Sequence, residues 1–347
     1  MKVFAVETSC DETATAIVDV PTRQILAQNI YSQIAEHAAY KGVIPELASR
    51  AHFARLPHLA EQTLTQAGLG WNAIDAIAAT TGPGLTTALV VGSTFAKTLA
   101  VALGKPFLAG NHIEGHALSP LLAENTPLAT AFLENEEPYL LLLVTGGHCQ
   151  LVLVSGVGHY QTLGSTLDDA VGECFDKVGK LLGLPHPAGP AIEQLAKTSD
   201  PSGITLPHPK QDNSLDFSFS GLKTAVKDLL TATPNLNPAN VAAAFQQRVA
   251  QILARKTNLA IKQTGVRHVV VAGGVAANAA IRTALQQVCT AQNTSFTAPP
   301  LILCTDNAAM IAYATGLRLQ KGQESGPLTA PVRPRWALEA MNFTFAS

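Results

Sequence analysis

Val3–Val6 is apolar, Glu7-Thr8-Ser9-Cys10-Asp11-Glu12 is polar, and Thr13–Val20 is strand-like again. That order predicts a β-hairpin with a polar turn. Tyr139–Val144, then Thr145-Gly146-Gly147-His148, then Gln150–Val154 repeats the design. Asp75–Thr81 reads as a strand running into Gly82-Pro83-Gly84, with a long helical stretch from Thr86. Arg267–Ala272 runs into Gly273-Gly274 and then helical Val275–Gln287. Each design thus occurs twice, once in each half. The expectation is a duplicated α/β architecture with a cleft between two related lobes. Leu184–Ser220 is rich in Pro, Gly, Ser and Asp and predicts long loops and turns. Ala242–Lys262 predicts a helix with Ala244, Val249, Ile252 and Leu259 on its apolar face and Arg248, Arg255, Lys256 and Lys262 on its polar face. Pro331–Trp336 reads as extended and Pro-interrupted.

Composition narrows the class. The chain has 347 residues, 47% of them hydrophobic and 14% charged. Disorder is excluded, because a chain this apolar can bury a large core. A net charge of −2 argues against a general nucleic-acid coater. Charge is uneven, however. Residues 111–205 carry 3 basic and 11 acidic side chains, and residues 206–267 carry 8 and 3. The acidic stretch suits a cation and the basic one a polyanion such as RNA; two solvated helix faces account equally well for both. Five cysteines without a C-x-x-C pair fit a reducing compartment, so the expected location is cytoplasmic. The N-terminus reads as a strand bearing Glu7, not a signal peptide. Thr86–Leu103, the most apolar window, contains Lys97 and several Thr and Ser, and reads as a buried helix rather than a membrane span.

Three glycine loops follow strands: Gly82-Pro83-Gly84, Gly146-Gly147 and Gly273-Gly274. Glycine lets backbone N–H groups approach a phosphate without a Cβ in the way, and two of the loops lead into helices, whose N-termini favour anions. Tight turns explain most single loops of this kind; three of them, with the polar Thr8–Glu12 turn, point to a nucleotide cleft. The chain has neither a G-x-x-x-x-G-K-[ST] phosphate loop nor a G-x-G-x-x-G fingerprint opening a helix. His112-Ile113-Glu114-Gly115-His116 places two imidazoles four residues apart, on one helix face, where they can share a metal ion. The same spacing also fits two ordinary histidines. Asn111 reads as the N-cap, with Glu114 as its capping-box partner. Glu114 lies about 200° round the helix from His112. It therefore faces away from the shared His face, unlike the base of a zinc protease. Asp306, in the loop Cys304-Thr305-Asp306-Asn307, reads either as a third ligand or as a helix cap. Two His and one carboxylate suit non-haem iron, and zinc is compatible.

These residues together resemble one family, the tRNA adenosine threonylcarbamoyltransferases of bacterial TsaD type. The stretches carrying the resemblance are Glu7–Thr13, Pro45-Glu-Leu-Ala-Ser-Arg50, Gly82-Pro-Gly-Leu85, His112–His116 and Gly146-Gly-His148. They continue through Phe175-Asp-Lys177, Leu215–Lys223, Ala272-Gly-Gly-Val275 with Asn278, Cys304–Asn307 and Val332-Arg-Pro-Arg-Trp336. They run in family order over nearly the whole chain. The resemblance implies an actin/hexokinase/Hsp70-like (ASKHA) α/β fold with an interlobe cleft, with residues 1–130 plus 301–347 in one lobe and 131–300 in the other. It implies transfer of threonylcarbamoyl from threonylcarbamoyl-AMP to N6 of the adenosine 3′ of the anticodon, in tRNAs reading codons that begin with A. His112, His116 and Asp306 match the ligands of one divalent ion, Fe2+ first and Zn2+ as the alternative. Leu143, Val144, Thr145, Gly146, Gly147, Asp176, Gly189 and Asn278 match positions that bind the adenylate or nucleotide. Asp11 and Glu12 match the acidic pair of the first loop, expected to act on the attacking amine.

The implied partners are tRNA, a shorter metal-free paralogue of the same fold (TsaB type) and a small P-loop ATPase (TsaE type), with no membrane. Arg333, Arg335, Trp336 and the basic stretch 206–267 are candidate tRNA contacts. Ala188, Thr145, Cys149 and Asn111 depart from the residues usual in the family. An actin-like kinase, a metallopeptidase and a non-catalytic scaffold are the competing readings. The first needs ATP turnover, the second needs a base where Glu114 does not sit, and the third predicts loss of the three ligands.

Overall fold

The computed structural model describes residues 1–40, 42–122, 126–323 and 326–341. The chain divides into two compact units. The first is Met1–Glu136 with Ser155–Tyr160 and Pro299–Ser347, and the second is Glu137–Val154 with Gln161–Ala298.

The first unit is built on five strands: β1 (Lys2–Glu7), β2 (Glu12–Asp19), β3 (Gln24–Ser32), β4 (Ala76–Gly82) and β5 (Phe107–Asn111). Their order is β3-β2-β1-β4-β5. The β1–β2 hairpin is antiparallel, with Glu7 opposite Ala14, and β1 is parallel to β4. β1 lies between two neighbours, so its near-continuous apolar run is buried on both faces. Phe4, Val6, Ile17, Ile77 and Phe107 from the sheet form one core with Leu56, Ala60 and Leu64 of the helix Pro45–Ala67 and Ala96 and Ala100 of the helix Thr86–Leu103. Pro45 opens the first of these helices, and Gly68 closes it in the left-handed conformation.

Thr86–Leu103 is the one helix among the described residues long and apolar enough to cross a membrane. It packs here through Ala88, Leu89, Gly92, Ser93, Ala96 and Ala100. The approach at Gly92 is close: a Cβ there would meet Thr8 Oγ1 at 2.1 Å, and that hydroxyl donates to the Ala88 carbonyl at 3.0 Å.

The second sheet contains β6 (Tyr139–Val144), β7 (Cys149–Gly156), β8 (His159–Ser165), β9 (His268–Ala272) and β10 (Ser295–Thr297). Its order, β8-β7-β6-β9-β10, repeats that of the first sheet strand for strand. The antiparallel hairpin and the parallel crossover strand recur as well. The duplication expected from the pattern is therefore present in the topology.

Three expectations are corrected. The helix expected over Val275–Gln287 is a short 3-10 turn, Gly274–Ala277, followed by a helix at Ala279–Ala291. Asn278 breaks it, because its backbone is extended and its Oδ1 caps Ile281 N at 3.1 Å. The expected loop region Leu184–Ser220 contains a helix, Gly189–Ala196, with Pro190 in its first turn. The helix expected over Ala242–Lys262 is present and longer, from Pro238 to Thr264, between an Asn237 cap and left-handed Gly265; what is corrected is its polar face. On it Lys256 is buried rather than solvated, and its Nζ donates to Ser214 O at 2.6 Å, Asp212 Oδ1 at 3.2 Å and Asp212 O at 3.3 Å.

Candidate functional site

In the first unit, β5 ends at Asn111 and the chain turns directly into the helix His112–Leu118. Asn111 caps it, accepting from Ile113 N at 2.8 Å and Glu114 N at 3.2 Å. The helical spacing then stacks the two imidazoles edge to face, with centroids 4.8 Å apart. Asp306 comes from the loop before the helix Ala308–Gln320. It is not the cap of that helix, because Asn307 Oδ1 takes Met310 N at 2.9 Å. The Asp306 carboxylate is left to meet both rings: Oδ1 lies 3.0 Å from His116 Nε2 and 3.4 Å from His112 Nε2. The three donors lie within 4.8 Å of one another.

The surroundings fit a cation. Glu7, at the end of β1, places Oε2 3.2 Å from His112 Nδ1, and Ser9 Oγ lies 3.1 Å from the same nitrogen. A carboxylate on the far nitrogen is how a ligating imidazole is usually oriented and made more basic. Burial alone would push the His112 pKa down, but Asp306 and then Glu7 raise it to about 9. Burial lowers that of His116, against the opposing bond to Asp306. Glu12 is pushed up to about 10 by burial and by the neighbouring charges of Asp306 and Asp11. Negative charge crowded around two imidazoles is relieved by a positive ion. His112, His116 and Asp306 therefore fit a single metal site.

Asp11 lies in the β1–β2 turn and Glu12 opens β2, both half-buried. Three successive carbonyls of that turn are held from outside it. Leu85 N donates to Ser9 O at 2.8 Å, His52 Nε2 to Cys10 O at 3.0 Å, and Gln33 N to Asp11 O at 3.0 Å.

Glu114, expected as a capping-box partner, does not serve as one. It is fully buried, and its Oε1 accepts from Tyr160 Oη at 2.7 Å and Arg318 Nη1 at 2.5 Å. This neutralised position excludes it as a solvent-linked hydrolytic base. Arg333 and Arg335 are exposed, and Arg333 lies over the Trp336 ring at 4.8 Å.

In the second unit, Leu143 and Val144 are fully buried strand residues that carry Thr145-Gly146-Gly147 at their end. Thr145 Oγ1 accepts from Gly147 N at 3.2 Å and His148 N at 2.9 Å, which shapes the turn, and both glycines stand open to solvent. The helix Val171–Leu181 begins against this turn, with Gly172 N donating to Thr145 O at 3.2 Å. Gly273 also lies close, at φ 98°, where a Cβ would meet Val144 O at 2.4 Å. Asp176 Oδ1 accepts from Ala188 N at 2.7 Å, so it holds the Pro187-Ala188-Gly189 loop. Ala188 fills the space beside Gly179. Asn278 is buried, and besides capping Ile281 it donates to Gln246 Oε1 at 2.7 Å.

Sequence reading missed Glu7 as the group orienting His112, and Arg318 and Tyr160 as the partners of Glu114. Glu7 had a signal, a charged residue ending an apolar central strand. The other two pairings join residues far apart in the chain.

The TsaD family, described as tRNA N6-adenosine threonylcarbamoyltransferase, matches residues 24–313. A protein of that name from Bartonella tribocorum is 49% identical, with 98% of this chain and 96% of the relative covered. One from Paramagnetospirillum magneticum is 48% identical, with 98% and 97% covered. Among solved structures, HypF of T. kodakarensis superposes with a TM-score of 0.59 at 14% identity, over 92% of this chain and 48% of that one. Component A of the Acidaminococcus fermentans (R)-2-hydroxyglutaryl-CoA dehydratase gives 0.53 at 14% identity, over 91% and 97%. These distant likenesses show the fold, the actin/hexokinase/Hsp70-like arrangement of two related five-stranded sheets. With its family match and near-full-length relatives, the chain belongs to the TsaD family of tRNA N6-adenosine threonylcarbamoyltransferases, and it is a transferase that modifies tRNA by threonylcarbamoyl transfer to adenosine N6.

Proposed function

We propose that the donor is threonylcarbamoyl-AMP and the acceptor the adenosine 3′ of the anticodon in tRNAs reading codons that begin with A. The observation that supports a metal-assisted reaction is the convergence of His112 Nε2, His116 Nε2 and Asp306 Oδ1, with Glu7 on the far side of His112. Fe2+ suits two imidazoles and a carboxylate with open positions, and Zn2+ is the alternative. Such an ion supplies Lewis-acid polarisation of a carbonyl or phosphoryl oxygen.

The chain's own groups do the rest. In the second unit, the open backbone N–H groups of the Thr145-Gly146-Gly147 turn hold the adenylate. Asp176, through its bond to Ala188 N, shapes the Gly189 loop for the nucleotide. Leu143, Val144 and Asn278 act as its support, since their side chains are buried. In the first unit, Asp11 or Glu12 orients the N6 amine or takes its proton. The N6–C bond forms, the bond from the carbonyl carbon to phosphate oxygen breaks, and AMP leaves. The anticodon loop is single-stranded, so the base is presented without opening a duplex. The working assembly includes a shorter TsaB-type paralogue and a TsaE-type P-loop ATPase, in the cytoplasm. The five free cysteines suit that compartment.

The test is nucleoside mass spectrometry of tRNA from cells depleted of this protein. Threonylcarbamoyladenosine should disappear, return with the intact gene, and stay absent with His112→Ala/His116→Ala. Restoration by the double variant would remove the metal from the reaction.

A further inference from the structure

A group of buried polar side chains lies beneath the Cys10–Glu12 turn and takes no part in the ligand cluster. Thr13, Gln33 and His52 are 0% exposed and His37 is 1% exposed. Buried polar groups persist when each is hydrogen-bonded, and these four are bonded in one chain.

The chain has a single donor direction. Ile44 N donates to His37 Nδ1 at 3.3 Å, so the His37 proton sits on Nε2, which donates to Gln33 Oε1 at 3.2 Å. The Gln33 amide nitrogen then lies 3.2 Å from His52 Nδ1 and 3.4 Å from Thr13 Oγ1. Thr13 Oγ1 donates to His52 Nδ1 at 2.7 Å. With Nδ1 accepting, His52 carries its proton on Nε2, and that proton goes to the Cys10 carbonyl at 3.0 Å. Burial lowers the pKa of His52, which keeps the imidazole neutral and the direction intact.

Cys10 O belongs to the stretch where the hairpin leaves the β1 ladder, whose last pair is Glu7 with Ala14. Its neighbours Ser9 O and Asp11 O are each fixed by a backbone amide. Cys10 O alone of the three relies on a side chain, and it immediately precedes the two acids.

We propose that His52 is a positioning residue for threonylcarbamoyl transfer: its Nε2–H bond to the Cys10 carbonyl, set by the relay from Ile44, fixes how the turn presents Asp11 and Glu12. This rests on the reading of those acids as acting on the attacking amine.

The test uses three substitutions in the complete reaction, with the partner proteins, tRNA and threonylcarbamoyl-adenylate. His52→Gln keeps a donor near the Nε2 position, His52→Asn reaches only the Nδ1 position, and His52→Leu offers neither. Expected is a kcat within about threefold of wild type for Gln, and at least tenfold lower for Asn and Leu. KM for tRNA and metal per folded protein should stay at wild-type values. If Asn and Leu turn over like wild type, or if Gln falls with them, the inference is overturned. Asp11→Asn and Glu12→Gln are run alongside. Full turnover by both removes the role of the acids. Loss there with wild-type rates for His52→Asn and His52→Leu removes only the positioning role. A second measurement needs no variant: imidazole 15N shifts of the intact chain should show His52 protonated at Nε2 and bare at Nδ1. The reverse tautomer would break the relay and the inference with it.

Discussion

Glu114 is fully buried on the short helix that carries His112 and His116. It sits between two histidines in a pattern that invites comparison with a zinc protease. Its environment is a fully buried bond to Arg318 on the helix Ala308–Gln320, with Tyr160 as a second donor. Burial pushes its carboxyl above the ordinary range, against the pull of Arg318 and Tyr160. Breaking a buried pair by removing one partner costs about 3–5 kcal/mol. Glu114→Gln should therefore lower the melting temperature by on the order of 5–10 °C, measured by calorimetry or circular dichroism. Because the carboxylate touches none of the three ligand atoms, bound metal per folded molecule should not change. An unshifted melting temperature would show that the pair contributes nothing to stability. Loss of metal with normal stability would place Glu114 in the ligand cluster.

At the scale of elements, the helix Ser220–Ala232 has no cap of its own. Phe219 stands at its N-cap position and offers no side-chain acceptor. Asp168 supplies it from 50 residues upstream, accepting from Phe219 N at 2.8 Å, Ser220 N at 3.3 Å, Ser218 Oγ at 2.6 Å and Ser220 Oγ at 2.8 Å. Burial alone would raise the Asp168 pKa, but these bonds hold it below its ordinary value. The carboxylate's contribution is therefore complete above the ordinary carboxylate pKa near 4, and is lost as pH falls through the lower folded value. Asp168→Ala should cost about 1 kcal/mol at neutral pH, the usual worth of a cap, and the gap to wild type should close in acid. Urea melts at pH 7 and pH 3 check both; an equal gap at the two would show that the charge is not what caps.

What could be read beforehand follows the same division. Caps local in sequence, such as Asn111 and the Gly104 end of Thr86–Leu103, belong to motifs with fixed offsets. Glu7 was visible as a charge ending an apolar strand, but its pairing with His112, like those of Asp168 with Ser220 and Lys256 with Ser214, could not be read, because pairing across long separations depends on how strands are ordered.

For the whole molecule, the strongest legible signal was repetition, since a hairpin and a strand–glycine–helix unit each appear once per half. The matching strand orders of the two sheets explain why: each half solves the same packing problem with the same local patterns. Charge was legible only as a sum. Of the eight basic residues in 206–267, Lys256 is buried, Lys210 pairs with Asp212, Arg255 bonds to Gln211 O, and Arg267 lies 3.6 Å from Glu137. The structure thus narrows the candidates for phosphate contact to side chains such as Lys227 and Lys262, both exposed, with Arg333 and Arg335 in the first unit. Each phosphate contact releases counterions, so affinity for tRNA should fall with salt, and each contact removed should flatten the slope of log K against log salt by about 0.7–0.9. Arg333→Ala/Arg335→Ala should weaken tRNA binding and reduce the slope by roughly 1.5, while Lys256→Met should leave the slope unchanged despite removing the same kind of charge. Filter binding over a salt series separates these. If Lys256→Met flattens the slope while the arginine pair does not, the polyanion contact lies on the long helix and not on the tail.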